Sequence, residues 1–222
     1  EWISEFYVVM HSLASSVDPN TNIHHQTVWL AEQARRRLPN ASYAAKIYDF
    51  VKAEYEGNPD KDNWEKTRDA LYARYQVQGA DGYKSRSWFD AGINFGASLI
   101  SLFYGEGDYR RTIKIGALCG WDSDNPTATW GGLLGFMLGR KGVEAAFPQH
   151  EISDLYRIAR TRINFPDRTP DQDGDDSFER MAQRGIHVID RVVLEEMGGG
   201  VDLKRDAWCI PGISTTVEPA RY

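Results

Sequence analysis

The sequence predicts an all-α fold, and three observations lead to this prediction. Apolar residues recur at intervals of three and four along most of the chain, which is the spacing of one buried helical face. Capping residues, glycines and prolines interrupt that spacing at helix-length intervals. No stretch of useful length alternates apolar and polar residues as a half-buried strand does. Because the chain also has no internal repeat and no low-complexity tract, we expect residues 1–222 to form one all-helical domain.

The first part of the chain predicts four helices, over residues 2–17, 28–38, 42–57 and about 62–75. Ser42 is the expected N-cap of the third helix, and Gly57 ends it. The expected buried face of the first helix consists of Ile3, Phe6, Tyr7, Met10, Leu13, Ala14 and Val17.

The second part predicts a loop over 76–87 and then a helix over 88–104 that is apolar nearly all round, as a central helix is. Asp108 is the expected N-cap of a helix over 109–118. A glycine-rich helix follows and ends at Gly139, and its glycines suggest very close approach of other helices. Further helices are expected over 152–163 and 175–197, separated by an acidic loop and followed by a tail.

Composition and charge exclude several classes of partner. The net charge is −6 and the pI is about 5.4, which argues against a nucleic-acid or anionic-lipid surface. No apolar run approaches the ~20 residues that span a bilayer, so we expect a soluble protein without a membrane partner. Cys119 and Cys209 lack zinc-site spacing and are expected to be buried free thiols. The chain starts at Glu1 without a targeting segment and suggests the remainder of something longer.

The best candidate for chemistry is an acidic segment in which Asp122 and Asp124 stand two apart, just before Pro126. Proline favours the first turn of a helix, so both carboxylates can face one point at a helix start. Mg²⁺ and Mn²⁺ prefer such oxygen ligands, and Asn125 offers a further one. Ser123 and Thr127 are the other neutral candidates.

Two competing interpretations concern carboxylates and histidines. An aspartate before a helix is commonly an N-cap, which is the main alternative for the acidic segment. Residues 171–176 begin like a calcium loop, but Asp176 stands where glycine is required and Ala182 where glutamate is required. We therefore expect a solvated acidic loop there. His24 and His25 are adjacent, so they diverge on a helix and are expected to be helix-end residues.

A wider set of motifs resembles the C-terminal half of the ADP-ribosylglycohydrolase family. The motifs are Asn94-Phe95-Gly96, the run from Leu102 to Tyr109, Thr112-Ile113, Gly120-Trp121-Asp122-Ser123-Asp124 and the run from Gly131 to Gly135. The resemblance implies an orthogonal multi-helix bundle and an ADP-ribosyl-type ligand. It also implies metal-assisted hydrolysis of an N- or O-glycosidic bond to ADP-ribose. Asp122 and Asp124 would bind one or two Mg²⁺ or Mn²⁺ ions, Asp124 between the two metals as the catalytic residue.

The sequence departs from the family pattern at two places. Asn125 replaces the family's threonine, although an amide oxygen can still bind a metal. The family's N-terminal Gly-Asp-x-x-Gly and Thr-Asp-Asp-Thr segments do not occur in the sequence. The resemblance therefore implies that a second polypeptide supplies the rest of the site. The alternative is a non-catalytic ADP-ribose-binding or structural protein on the same fold.

Overall fold

The computed structural model describes residues 1–18, 20–157 and 175–212, and these residues are mostly helical. The all-α prediction is confirmed, with the addition of four short strands. The helices are α1 Trp2–Leu13, α2 Ile23–Arg37, α3 Tyr43–Gly57, α4 Glu65–Leu71, α5 Ala91–Gly105, α6 Tyr109–Leu118, α7 Asp124–Ala146 and α8 Phe178–Glu195. A 3-10 turn, Ala14–Ser16, extends α1, and a π-helical segment, Tyr72–Gln78, extends α4.

The described residues fall into two compact units, one ending at Gln149 and the other beginning at His150. The first contains α1 to α7. The second contains two antiparallel strand pairs and α8. Its strands are β1 Leu155–Arg157, β2 Asp175–Ser177, β3 Gly200–Asp202 and β4 Ala207–Cys209, which pair β1 with β2 and β3 with β4. The expectation of one domain over residues 1–222 stays a prediction.

Local capping chemistry fixes the helix starts as predicted. The Ser42 hydroxyl accepts a hydrogen bond from the Ala45 amide at 3.1 Å and caps α3. The Asp108 carboxylate accepts from the Arg111 amide at 2.6 Å and caps α6. Each bond satisfies an amide that the helix leaves without a partner at its first turn.

Helix α5 is the centre of the first unit, as its nearly continuous apolar sequence predicts. Every residue from Gly92 to Gly105 is buried, and α5 packs against α3, α6 and α7. Two buried hydrogen bonds join it to its neighbours. The Trp130 indole N–H donates to the Ser98 carbonyl at 2.7 Å, and the Ser101 hydroxyl donates to the Thr112 carbonyl at 2.7 Å. Helix α7, which begins with the acidic segment, is therefore anchored to the most buried helix.

Two fully buried phenols of this core differ in their hydrogen bonding. The Tyr104 hydroxyl lies 2.6 Å from the Thr67 hydroxyl and accepts from the Asn58 amide at 3.0 Å. The Tyr48 hydroxyl has no partner among the described residues. The two side chains are 0% and 2% exposed, so solvent cannot compensate for the difference.

The glycines of α7 contribute less to close packing than the sequence suggests. A Cβ atom at Gly131 would lie 3.3 Å from a methyl group of Ile113, but Gly132 and Gly139 have no described atom within 4 Å of such a position. Gly139 instead breaks the helical path with φ 66° and ψ 175°, at the residue where the sequence predicts the helix to end. The expectation that other helices approach closely at all four glycines is therefore wrong, because the closest contact is at Gly131 alone.

The prediction is least accurate after residue 150. The predicted helix over 152–163 is wrong at Leu155–Arg157, which forms β1, and residues 158–163 lie outside the described part of the chain. Residues 171–174 of the acidic loop also lie outside it. Asp175–Ser177 is a strand rather than a helix start, and the predicted tail contains the β3–β4 pair. A short apolar segment fits a strand and a helix turn about equally well, so its periodicity does not discriminate.

None of the described helices is both long and apolar enough to cross a bilayer. The two cysteines are free thiols, as expected, but only Cys119 is buried and Cys209 is exposed.

Candidate metal-binding turn and helix start

Asp122 and Asp124 lie on either side of a boundary between a turn and a helix. Asp124 is the first residue of α7, whereas Asp122 belongs to the turn that follows α6. The Asn125 amide donates to the Asp122 carbonyl at 3.0 Å and closes the turn. Ser123 occupies the N-cap position without a side-chain cap hydrogen bond in the described structure. Neither aspartate is therefore the N-cap, but Asp124 lies in the first turn of α7, where the helix dipole favours negative charge.

The Asp122 and Asp124 side chains belong to residues two apart, across the boundary between the turn and α7. The pKa of Asp122 is raised above its usual value, first by desolvation and then by the hydrogen bond and the negative charge of Asp124. Two carboxylates in this arrangement repel each other unless a proton or a cation lies between them. The structure thus brings together the two residues that the sequence selects.

The donor set matches a hard cation but is incomplete by itself. Carboxylate and amide oxygens are the ligands that Mg²⁺ and Mn²⁺ prefer, and Asp122, Asp124 and Asn125 provide three of them. Asn125 is exposed, and its role as a ligand stays a prediction. Within residues 1–18, 20–157 and 175–212, no three His, Cys, Asp or Glu side chains are grouped so that they could hold a metal ion. The site fits the cation chemically and needs further ligands.

Thr127 and Cys119 are near the pair in sequence but have other roles. The Thr127 hydroxyl donates to the Asp124 carbonyl at 2.7 Å, within the first turn of α7. Burial raises the pKa of the Cys119 thiol to about 12, so this residue offers no thiolate at neutral pH. The atoms available for binding at the turn are therefore oxygen atoms.

Two residues that support the turn are not site candidates in the sequence. The Asn94 carboxamide oxygen accepts from the Asp122 amide at 2.9 Å, and the Gln76 side-chain oxygen accepts from the Trp121 indole N–H at 2.6 Å. Asn94 lies on α5, and Gln76 lies in the π-helical segment. A π-helical turn within an α-helix is rare and is often found at functional sites. The sequence gives no sign of either contact beyond the presence of Asn94 in the motif set.

A cleft of about 350 Å³ borders the same turn, between the end of α6 and the α4 region. Its lining includes Arg68, Tyr72, Leu118 and Trp121. Tyr72 and Leu118 are roughly half exposed, and Arg68 forms an ion pair with Asp69, which also lines the cleft, at 2.8 Å.

Comparison with known families assigns the chain to a family. The family model described as ADP-ribosylglycohydrolase matches residues 6–184. The chain belongs to the ADP-ribosylglycohydrolase family. The match extends from α1 into α8, well beyond the motifs that carry the resemblance, and includes both aspartates. Comparison with curated proteins and with solved structures gave no match.

Membership of the ADP-ribosylglycohydrolase family makes an ADP-ribosylglycohydrolase-like hydrolase the general class of the protein. The mostly helical architecture of the described residues agrees with that family's all-α fold. The prediction that the chain represents the C-terminal half of the family domain remains a prediction.

Proposed function

We propose that the protein takes part in divalent-metal-dependent hydrolysis of an N- or O-glycosidic bond to ADP-ribose or a related ribosyl nucleotide. Asp122 and Asp124 bind the metal, and Asn125 contributes an amide oxygen. Asp124 is also the catalytic residue, because it is the carboxylate expected to lie between two ions. A second polypeptide supplies the remaining ligands.

The observation that carries this proposal is the pairing of two carboxylates at the start of α7. Desolvation first, and then the hydrogen bond and the negative charge of Asp124, raise the pKa of Asp122, and a divalent cation would relieve the repulsion between the two carboxylates. Neither aspartate serves as the N-cap of the helix, so capping does not account for the pair. Family membership makes glycosidic hydrolysis the chemistry for which such a pair is suited.

The residues of this chain would act by binding and orientation. Asp124 is held by the first turn of α7, and Asp122 is held by the adjoining turn, so the pair presents oxygens of fixed spacing to one point. A divalent cation held by Asp122, Asp124 and Asn125 would lower the pKa of a bound water and help to orient the ribose hydroxyls. The partial positive charge at the start of α7 further favours negative charge at this point.

The experiment measures release of ADP-ribose from two peptides, one linked through arginine (N-glycosidic) and one through serine (O-glycosidic). The full chain is assayed alone and with polypeptides that co-purify with it, in millimolar Mg²⁺ or Mn²⁺ and in EDTA. We expect metal-dependent release that Asp124→Ala abolishes. The matched control is Asp62→Ala, which removes a carboxylate that is 90% exposed and outside the pair.

Two outcomes would contradict the proposal. If the protein purifies alone, binds no Mg²⁺ or Mn²⁺ at millimolar concentration and is unchanged by Asp124→Ala, the metal-dependent enzyme is excluded. Tight binding of ADP-ribose without hydrolysis in any preparation would favour the non-catalytic alternative, which the replacement of threonine by Asn125 also favours.

A further inference from the structure

The turn that carries Asp122 has a backbone conformation that requires support. Gly120 has φ 100° and Trp121 has φ 56°, so two successive residues lie in the left-handed region. Glycine adopts this region freely, but a residue with a bulky side chain does so rarely and only where its surroundings hold it. Asp122 follows immediately, and its direction depends on this conformation.

Asn94 supplies a contact that holds the turn from the core. Its side chain is 6% exposed, and its carboxamide N–H groups donate to the carbonyls of Trp88 at 2.9 Å and Asp90 at 3.0 Å. Its oxygen accepts from the Asp122 amide at 2.9 Å. Carbonyl groups only accept and an amide N–H only donates, so the three partners determine the orientation of the carboxamide.

Gln76 provides a second and independent point of attachment. Its side-chain oxygen accepts from the Trp121 indole N–H at 2.6 Å. Asn94 therefore fixes the backbone of one residue, and Gln76 fixes the side chain of the residue before it. The π-helical segment places Gln76 on the side of the turn where the indole N–H points.

The two aspartates depend differently on these contacts. Asp124 belongs to α7, which Trp130 anchors to α5, so its position does not require the turn. Asp122 is held by the turn before it and by the Asn125 amide, which donates to its carbonyl at 3.0 Å. The spacing between the two carboxylates is consequently set at Trp121 and Asp122.

We propose that Asn94, assisted by Gln76, is the positioning residue of the acidic pair, holding the left-handed turn so that the Asp122 carboxylate faces Asp124. This inference rests on the proposed metal-binding function. Asn94 acts through the Asp122 backbone and touches neither metal nor substrate. Aspartate cannot replace it, because a second carboxylate oxygen would face the Trp88 and Asp90 carbonyls instead of donating to them.

The test measures two quantities in the full chain. Electron paramagnetic resonance of free Mn²⁺ gives the metal affinity, and amide hydrogen exchange in the metal-free protein reports the hydrogen bond of the Asp122 amide. We expect Asn94→Ala to weaken Mn²⁺ binding by about 10–100-fold, the usual effect of removing a group that orients a ligand. Exchange at Asp122 should accelerate by roughly 10-fold or more.

The matched control is Ser101→Ala, which removes another buried hydrogen bond of α5, to the Thr112 carbonyl on α6. It should lower stability but leave Mn²⁺ affinity and Asp122 exchange within about 2-fold of the parent, since a general loss of stability does not act on the turn. If Asn94→Ala fails to fold, Gln76→Ala is the second variant. It leaves the core intact and should weaken Mn²⁺ binding through the Trp121 contact.

The results separate the two proposals. If the parent chain binds no Mn²⁺ either alone or with the polypeptides that co-purify with it, the proposed function fails, and exchange at Asp122 still decides whether Asn94 holds the turn. If Asn94→Ala, or Gln76→Ala in its place, leaves metal affinity and Asp122 exchange at parental values, the positioning role is wrong. Equal loss of Mn²⁺ affinity in Ser101→Ala would also overturn it, because the effect would then be one of general stability.

Discussion

Removal of one hydroxyl from each of two buried tyrosines should destabilise the protein at Tyr104 but not at Tyr48. Tyr104→Phe deletes a hydroxyl that bonds the Thr67 hydroxyl at 2.6 Å and the Asn58 amide at 3.0 Å. Tyr48→Phe deletes a hydroxyl without a described partner. Both side chains are almost completely buried, so the substitutions are matched in size, ring type and environment.

The magnitudes follow from what each deletion leaves behind. After Tyr104→Phe, Thr67 is buried without its partner, whereas Asn58 keeps a 2.9 Å bond to the Asn63 carbonyl. One buried polar group is left unsatisfied, and this costs about 1–3 kcal/mol. Tyr48→Phe removes an unsatisfied buried hydroxyl, so unfolding should become harder by up to ~1–2 kcal/mol or stay unchanged.

Urea unfolding followed by tryptophan fluorescence measures both changes, provided that the denaturant slope is the same in each variant. A Thr67→Val and Tyr104→Phe double variant should lose less than the sum of the single losses, because the two hydroxyls interact directly. The reasoning is refuted if Tyr48→Phe destabilises the protein as much as Tyr104→Phe does.

Two further predictions concern packing and pH. Gly96→Ala should destabilise the protein by about 1–3 kcal/mol, since the added Cβ would lie 2.6 Å from a methyl group of Leu71. Gly132→Ala adds a Cβ in open space at an exposed helical position and should stabilise the protein by roughly 0.5–1 kcal/mol. Thermal unfolding of the two variants distinguishes these effects, and equal changes in stability would contradict the contact between Gly96 and Leu71. The Arg184 guanidinium lowers the pKa of Asp176 from 3.8 to about 2, so the stability that this carboxylate contributes is complete above its unfolded pKa and is lost as the pH falls through about 2. Comparison of unfolding between the parent and Asp176→Asn from pH 5 to pH 2 should show a difference that shrinks with acid, and a constant difference would exclude the ion pair as its source.

Features that depend on neighbouring residues were predictable from the sequence. The caps at Ser42 and Asp108 use a side chain three residues before the amide that it binds, and the helix break at Gly139 depends on one residue. The motif with Asp122 and Asp124 was likewise local, because two aspartates before a proline are visible in the sequence itself.

Features that depend on distant residues were not predictable. Asn94 is 28 residues from Asp122, and Gln76 is 45 residues from Trp121, so no spacing rule connects them. The unsatisfied hydroxyl of Tyr48 was hidden for a related reason, since helical periodicity predicts that a side chain is buried but not what its polar atom meets. The prediction at Leu155–Arg157 was wrong because a segment of three residues is too short for periodicity to distinguish a strand from a helix.

The left-handed turn before α7 also limits how the acidic motif could be transplanted. A peptide copied from residues 119–132 would carry both aspartates but would lack the Asn94 carboxamide and the Gln76 side-chain oxygen that hold the turn. A graft onto another helical scaffold would need the first turn of α5 and the π-helical segment as well. The smallest portable version of this site is thus an assembly of three separate chain segments.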